Sequence, residues 1–144
     1  MVSPLVRKLG LRAGVRTYLG DAPGSLASEV LSGSEVASTA LRGDFGFMLV
    51  FFTSARGLDR RFPQLRRHLA AGGALWIAWP KSSGPGGGQG TDLALPRVIE
   101  IGYRHGLVES KTIALDATWS AMKFTAPRPG RVYRNSYGQL TSQA

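Results

Sequence analysis

Residues 45–80, FGFMLVFFTSARGLDRRFPQLRRHLAAGGALWIAWP, decide the fold. Up to its closing threonine the run Phe45–Thr53 is unbroken by any polar side chain, rich in aromatic residues and of strand length. A strand apolar on both faces must be covered on both, which is the situation inside a parallel sheet flanked by helices. Ser54 then suits an N-cap, because its hydroxyl accepts from the free amides of a first helical turn. Leu58, Phe62, Leu65 and Leu69 follow at steps of four, three and four, the spacing of one helix face. Gly72-Gly73 would stop that helix, and Ala74–Trp79 reads as a second buried strand. The stretch therefore predicts strand, amphipathic helix, strand.

Outward from this unit the same grammar continues. Ser3-Pro4 with Leu5, Val6, Leu9 and then Gly10 has the form of a short capped helix. Val15–Leu19 reads as a strand, GDAPGS (residues 20–25) as a tight turn, Ser25–Leu31 as a helix and Glu35–Thr39 as a brief strand. On the far side, a helix beginning at Thr91 or Leu95 runs to about His105, with Pro96 in its first turn. Leu107–Leu115 and Trp119–Ala126, separated by Asp116-Ala117-Thr118, form a closing antiparallel hairpin. The expected fold class is α/β, a three-layer Rossmann-like sheet that is mostly parallel with a C-terminal antiparallel hairpin. Residues 1–126 make a single domain, and residues 127–144 (PRPGRVYRNSYGQLTSQA) a basic, flexible tail without a core pattern.

Composition narrows the chemistry. The chain of 144 residues has no cysteine, which excludes disulfides, thiolate nucleophiles and cysteine-bound zinc. Its N-terminus lacks the apolar core of a signal peptide, and its apolar runs are too short to span a bilayer. A cytoplasmic protein without a membrane partner is expected, its oligomeric state open. Net charge is +9, with most of the cations arginine, a side chain suited to bidentate contacts with phosphate or carboxylate. His68 and His105 are isolated in sequence, the acids are scattered singly, and no Gly-x-Ser-x-Gly elbow appears.

Open α/β sheets bind ligands beyond the carboxyl ends of their strands, where three segments converge: GDAPGS, TSARG and WPKSSGPGGGQGTD. The last is not a phosphate loop, because Lys81-Ser82-Ser83 precede the glycines and a helix does not follow at once. It reads as a slack loop, or as an anion lid using Lys81, Ser82 and Ser83. Gly20, Asp21 and Gly24 allow a backbone approach to a nucleotide or to S-adenosylmethionine, although no acid ends the second strand where a ribose would be held. With no base, nucleophile or metal set in view, the leading expectation is a non-catalytic protein. It would bind an unidentified small ligand or protein partner through Lys81, Ser82, Ser83, Thr91, Asp92 and Trp119. An S-adenosylmethionine-dependent methyltransferase is the enzymatic alternative. Nucleic-acid association is a third reading, through Arg60, Arg61 and Arg67 on the long helix and Arg128, Arg131 and Arg134 in the tail, with Tyr133 and Tyr137 interleaved.

The order KLGLRAG (8–14), DAPG (21–24), FTS (52–54), GALWIAWPKSSG (73–84), TDL (91–93) and GLVESKTIALDATWSAMKF (106–124) resembles a bacterial family classed as domain of unknown function 3052. The resemblance covers nearly all of residues 5–126, and its most specific pieces are Trp-Pro-Lys-Ser-Ser-Gly and Asp-x-Thr-Trp-Ser. It implies an α/β fold related to class I methyltransferases and carries no established activity. The glycine run at 86–90 is longer than the family's link at that place, and the tail lies outside the resemblance.

Overall fold

The computed structural model describes residues 3–34, 36–81 and 91–141. The elements, in chain order, are α1 (Pro4–Leu9), β1 (Thr17–Gly20), α2 (Gly24–Leu31), β2 (Ala37–Ser38), β3 (Phe45–Phe51), α3 (Ala55–Arg67), β4 (Leu69–Pro80), α4 (Leu95–Arg104), β5 (Val108–Ala114), β6 (Trp119–Thr125), β7 (Val132–Asn135) and β8 (Gly138–Thr141). The first six strands form one sheet in the order β2-β1-β3-β4-β6-β5. Its first four strands are parallel, and β6 and β5 add to β4 as an antiparallel hairpin. The α/β architecture with a parallel centre and a closing hairpin is as expected.

The apolar stretch at 45–51 sits where its composition demands. Phe47, Leu49 and Phe51 point into a core shared with Leu5, Val6 and Leu9 of α1 and Leu26 and Val30 of α2. Met48 and Val50 point the other way, among Leu58, Phe62 and Leu65 of α3 and Val98 and Ile101 of α4. The alternation of a strand thus feeds two separate cores, and the helices make three layers with the sheet between them.

Local signals account for the helix ends. Ser3 Oγ accepts from the Val6 amide, Gly10 closes α1 at φ 73°, and Ser54 Oγ accepts from the Gly57 amide to open α3. The Asp92 carboxylate accepts from the Ala55 amide at 2.7 Å, tying the approach to α4 onto the start of α3. Gly102 lets α4 lie directly on the sheet, since a Cβ there would stand 2.1 Å from Phe124.

Two expectations need correction. The long helix ends at Arg67, not at the glycines: the Phe45 amide donates to the His68 carbonyl at 2.7 Å, and Leu69 already pairs with Phe45 in β4. Leu69 matched the helical spacing by coincidence, and Gly72, at φ 75°, instead serves a bulge between the pairs Phe45–Leu69 and Phe47–Ala74. The tail, expected to be loose, holds the β7–β8 hairpin. Asn135 Nδ2 donates to Glu109 of β5 at 3.5 Å, and the Arg128 amide donates to the Tyr133 hydroxyl at 3.1 Å. Burial pushes the neighbouring Tyr103 phenol above its usual range, helped by the Glu109 carboxylate.

The packing predicts a graded response to denaturant. Leu65→Ala removes a fully buried side chain and is expected to cost about 2–5 kcal/mol. Gly102→Ala, which pushes α4 against Phe124, is expected to cost about 1–3 kcal/mol. Gln64→Ala on the exposed side of the same helix as Leu65 should stay within about 0.5 kcal/mol. Equal losses at Leu65 and Gln64 would show that α3 presents a different face to the sheet.

Candidate functional site

From β1 the chain crosses to β2 on one side and then to β3 on the other, so the order reverses beside β1. In an open α/β sheet that reversal leaves a crevice beyond the carboxyl ends of the two central strands. The turn after β1 (Gly20-Asp21-Ala22) and the turn after β3 (Phe52-Thr53-Ser54) line it. The crevice has two lobes. One, of about 330 Å³, is bounded by Leu19, Gly20, Ala22, Ala27, Leu31 and Thr39. The other, of about 460 Å³, is bounded by Phe51, Thr53, Ser54, Gly57, Arg60 and Trp119. Asp21 and Arg61 line both.

Each of these shared residues is held in place by the fold. Asp21 stands at φ 58°, the one non-glycine residue in the left-handed region among the described residues. Such a backbone costs roughly 1 kcal/mol outside glycine and is tolerated best by aspartate and asparagine. It swings the chain from β1 into α2 and puts the Asp21 carboxylate 3.2 Å from Arg61 Nη1. Arg61 Nη2 donates to the Tyr18 hydroxyl at 3.2 Å. The Tyr18 ring in turn needs a bare Gly20, where a Cβ would lie 3.0 Å from both Tyr18 Cε2 and Val50 Cγ1. Gly20 is therefore required by the tyrosine that anchors Arg61.

The structure sorts the remaining candidates. Gly24 opens α2 beside empty space and touches nothing in the crevice. Lys81 follows β4 half-buried, its amide donating to the Thr118 carbonyl. Thr91 Oγ1 accepts from the Leu93 amide, and Asp92 is spent on the start of α3. Ser82, Ser83 and the glycines at 84–90 lie outside the described residues. Arg60 stands on the rim of the crevice with Arg61, while Arg67 borders a separate hollow of about 420 Å³ with Arg66 and His105. The arginines assigned together to nucleic acid thus separate between two sites, and Arg128, Arg131 and Arg134 stand in the C-terminal segment around β7.

One group escaped sequence reasoning altogether. His105 is not isolated: its Nε2–H donates to Asp59 Oδ1 at 2.7 Å, a direction fixed because an ionised carboxylate only accepts. The ring stacks on Phe62 with centroids 5.2 Å apart, and Arg104 reaches the same carboxylate oxygen at 3.0 Å. The cluster joins α3 to α4 across 46 positions of sequence, so no local spacing announces it.

Among solved structures the fold resembles several methyltransferases. The N-methyltransferase NodS from Bradyrhizobium japonicum WM9 matches with a TM-score of 0.61 at 14% identity, over 86% of this chain and 93% of that one. The ribosomal protein L11 methylase from Lactobacillus delbrueckii subsp. bulgaricus matches with a TM-score of 0.59 at 11% identity, over 85% of this chain and 74% of that one. The magnesium protoporphyrin IX methyltransferase from Synechocystis PCC 6803, solved with bound SAH, matches with a TM-score of 0.56 at 9% identity, over 85% and 78%. No family model and no curated protein sequence matches. The fold is that of the class I methyltransferases. The expectation of a non-catalytic binding protein is overturned by these likenesses, which favour the enzymatic alternative. Among the described residues no helix is long and apolar enough to cross a membrane.

The Asp59 cluster has a pH signature. The hydrogen bond from His105, with Arg104 beside it, holds the Asp59 carboxyl below its usual range despite the opposing effect of burial. A carboxyl lowered on folding adds stability above its unfolded pKa of about 3.9, and that stability is lost as pH falls through the folded value. Asp59→Asn should therefore lower Tm at about pH 5 and above, and the gap to wild type should narrow as pH falls through about 4 and close only below the folded value. Melting curves across that range check this; a gap that persists at the acid end would remove Asp59 ionisation as its cause.

Proposed function

We propose that the chain is an S-adenosylmethionine-dependent methyltransferase whose cofactor occupies the crevice beyond β1. The observation that carries this reading is the meeting of Gly20, Asp21 and Arg61 at the sheet's point of reversal, in a fold otherwise matched by methyltransferases. The chemistry of the lining suits the cofactor. An aspartate and an arginine stand side by side to receive the ammonium and carboxylate of its amino-acid end. Leu19, Ala22, Ala27 and Leu31 offer an apolar wall for its base, and the Thr39 hydroxyl lies after β2 for its sugar. Threonine there, in place of an acid, would accept one hydrogen bond from the sugar and donate one, a weaker hold than a carboxylate gives.

When bound, the cofactor supplies an electrophilic methyl group. The protein's part is then placement and exclusion of water. Gly20 and Tyr18 fix the floor, and Arg61 is braced by Tyr18. Among the described residues lining the crevice there is no histidine or lysine, and Asp21 is the one acid. The site therefore suits an acceptor atom that is nucleophilic without a strong base, with solvent receiving any proton released. Membership of the domain of unknown function 3052 family is part of the same proposal, supported by the residues quoted above.

Isothermal titration with S-adenosylmethionine and S-adenosylhomocysteine tests the reading. Binding in the micromolar range is expected, weakened about 10- to 100-fold in Asp21→Ala and in Arg61→Ala, as loss of a charged hydrogen bond implies. Wild-type protein that is folded and binds neither compound would sink it.

A further inference from the structure

The larger lobe of the crevice has features that cofactor binding does not explain. Trp119 opens β6 opposite Pro80, the last residue of β4, and so stands at the carboxyl edge of the sheet. Asp116 holds it there, its Oδ1 accepting from the Thr118 and Trp119 amides at 2.8 Å each. The Asp-x-Thr-Trp-Ser motif thus fixes the backbone from which the indole projects. That ring meets Phe51 edge-on with centroids 5.0 Å apart, and Trp119, half-buried, lines the lobe. A half-buried aromatic ring lining the mouth of a cleft is a surface suited to a flat partner.

The opposite wall is α3. Gly57 keeps it low, and Arg60 stands exposed on the rim. Arg61 is neutralised by Asp21, whereas Arg60 has no ion pair among the described residues. Asp21 is also the one acid lining the lobe, so its electrostatic balance is positive. A guanidinium facing an aromatic floor across about 460 Å³ is a site for a molecule with a flat body and one anionic end.

We propose that this lobe is the acceptor pocket, and that it takes a planar aromatic ring bearing an anionic group, the ring against Trp119 and the anion on Arg60. The assignment rests on the methyl-transfer reading, since the shared Asp21 and Arg61 would bring such a ring against the methyl donor. A carboxylate on a benzene ring and a phosphate on a nucleotide satisfy the same chemistry, and separate probes tell them apart.

The test is titration of the protein, in the presence and absence of S-adenosylhomocysteine, with 4-hydroxybenzoate, uridine monophosphate, uridine, inorganic phosphate and a twelve-residue oligothymidylate. At least one of the two ring acids should bind, and uridine or phosphate alone should bind at least tenfold more weakly than the intact acid. Arg60→Ala and Trp119→Leu should each weaken that binding by tenfold or more while leaving S-adenosylhomocysteine affinity unchanged. Arg60 lies on an exposed helix face, so its variant keeps the test decisive if Trp119→Leu does not fold. The proposal is overturned if neither ring acid binds, or if binding ignores both substitutions. It is equally overturned if only the oligonucleotide binds, with a steep salt dependence and no need for Trp119, which would mark a polyanion surface. If the ring acid binds through Arg60 and Trp119 but S-adenosylhomocysteine does not bind at all, the pocket stands and the methyl-transfer reading falls.

Discussion

Everything in this molecule depends on burying β3 on both faces. Leu49 and Val50 are adjacent in sequence, wholly buried, and belong to different cores. No single layer of helices satisfies such a strand, so α1 and α2 must cover one side and α3 and α4 the other. Placing helices between parallel strands sends every strand in the same direction, and each strand-to-helix turn then emerges at the same end. The turns after β1 and β3 meet because the strand order reverses between them. The crevice is a consequence of burial before it is a device for chemistry.

Core and crevice also share atoms. Tyr18 belongs to the core cluster under α3, yet its hydroxyl holds Arg61, and Arg61 in turn holds Asp21. Gly20 makes room for the tyrosine ring. A glycine in such a turn is easily taken for a residue that lets a ligand approach. Here its lack of a side chain is already used by Tyr18, so a substitution at Gly20 would disturb the crevice through Arg61 whether or not a ligand touches the glycine.

The sequence was most legible where a periodic signal matched a burial requirement. Phe45–Phe51, the face Leu58–Phe62–Leu65 and the hairpin of β5 and β6 could all be read from spacing, because each pattern admits one arrangement against a core. Boundaries were less legible: Leu69 kept the helical step, but the Phe45 amide captured the chain for the sheet, a competition between local period and a partner 24 residues away. The site was half legible. Gly20 and Asp21 were singled out from turn chemistry, Arg60 and Arg61 from charge and for nucleic acid, and Trp119 as a ligand-lining residue; the fold brings all five to one crevice. Their pairing was hidden, since Asp21 to Arg61 and Asp59 to His105 span 40 and 46 positions. The tail hairpin was missed because β7 and β8 are short, alternate weakly and carry little apolar surface.

The charge of +9 acquires meaning only after the acids are assigned. On α3, α4 and the turns beside them, Asp21 is held by Arg61, Asp59 by Arg104 and His105, Glu100 by Arg97 and Arg104, and Asp92 by a backbone amide. These pairs are half-exposed and add little stability individually. Their effect is to leave Arg56 and Arg60, on the first two turns of α3, as cations without an ion pair among the described residues. A concave surface concentrates the field of such charges, and salt screens it over about 8 Å at physiological ionic strength. If the crevice takes an acceptor as proposed, a neutral one would gain nothing from this arrangement, whereas an anionic one would be drawn to its mouth and oriented before it reached Trp119.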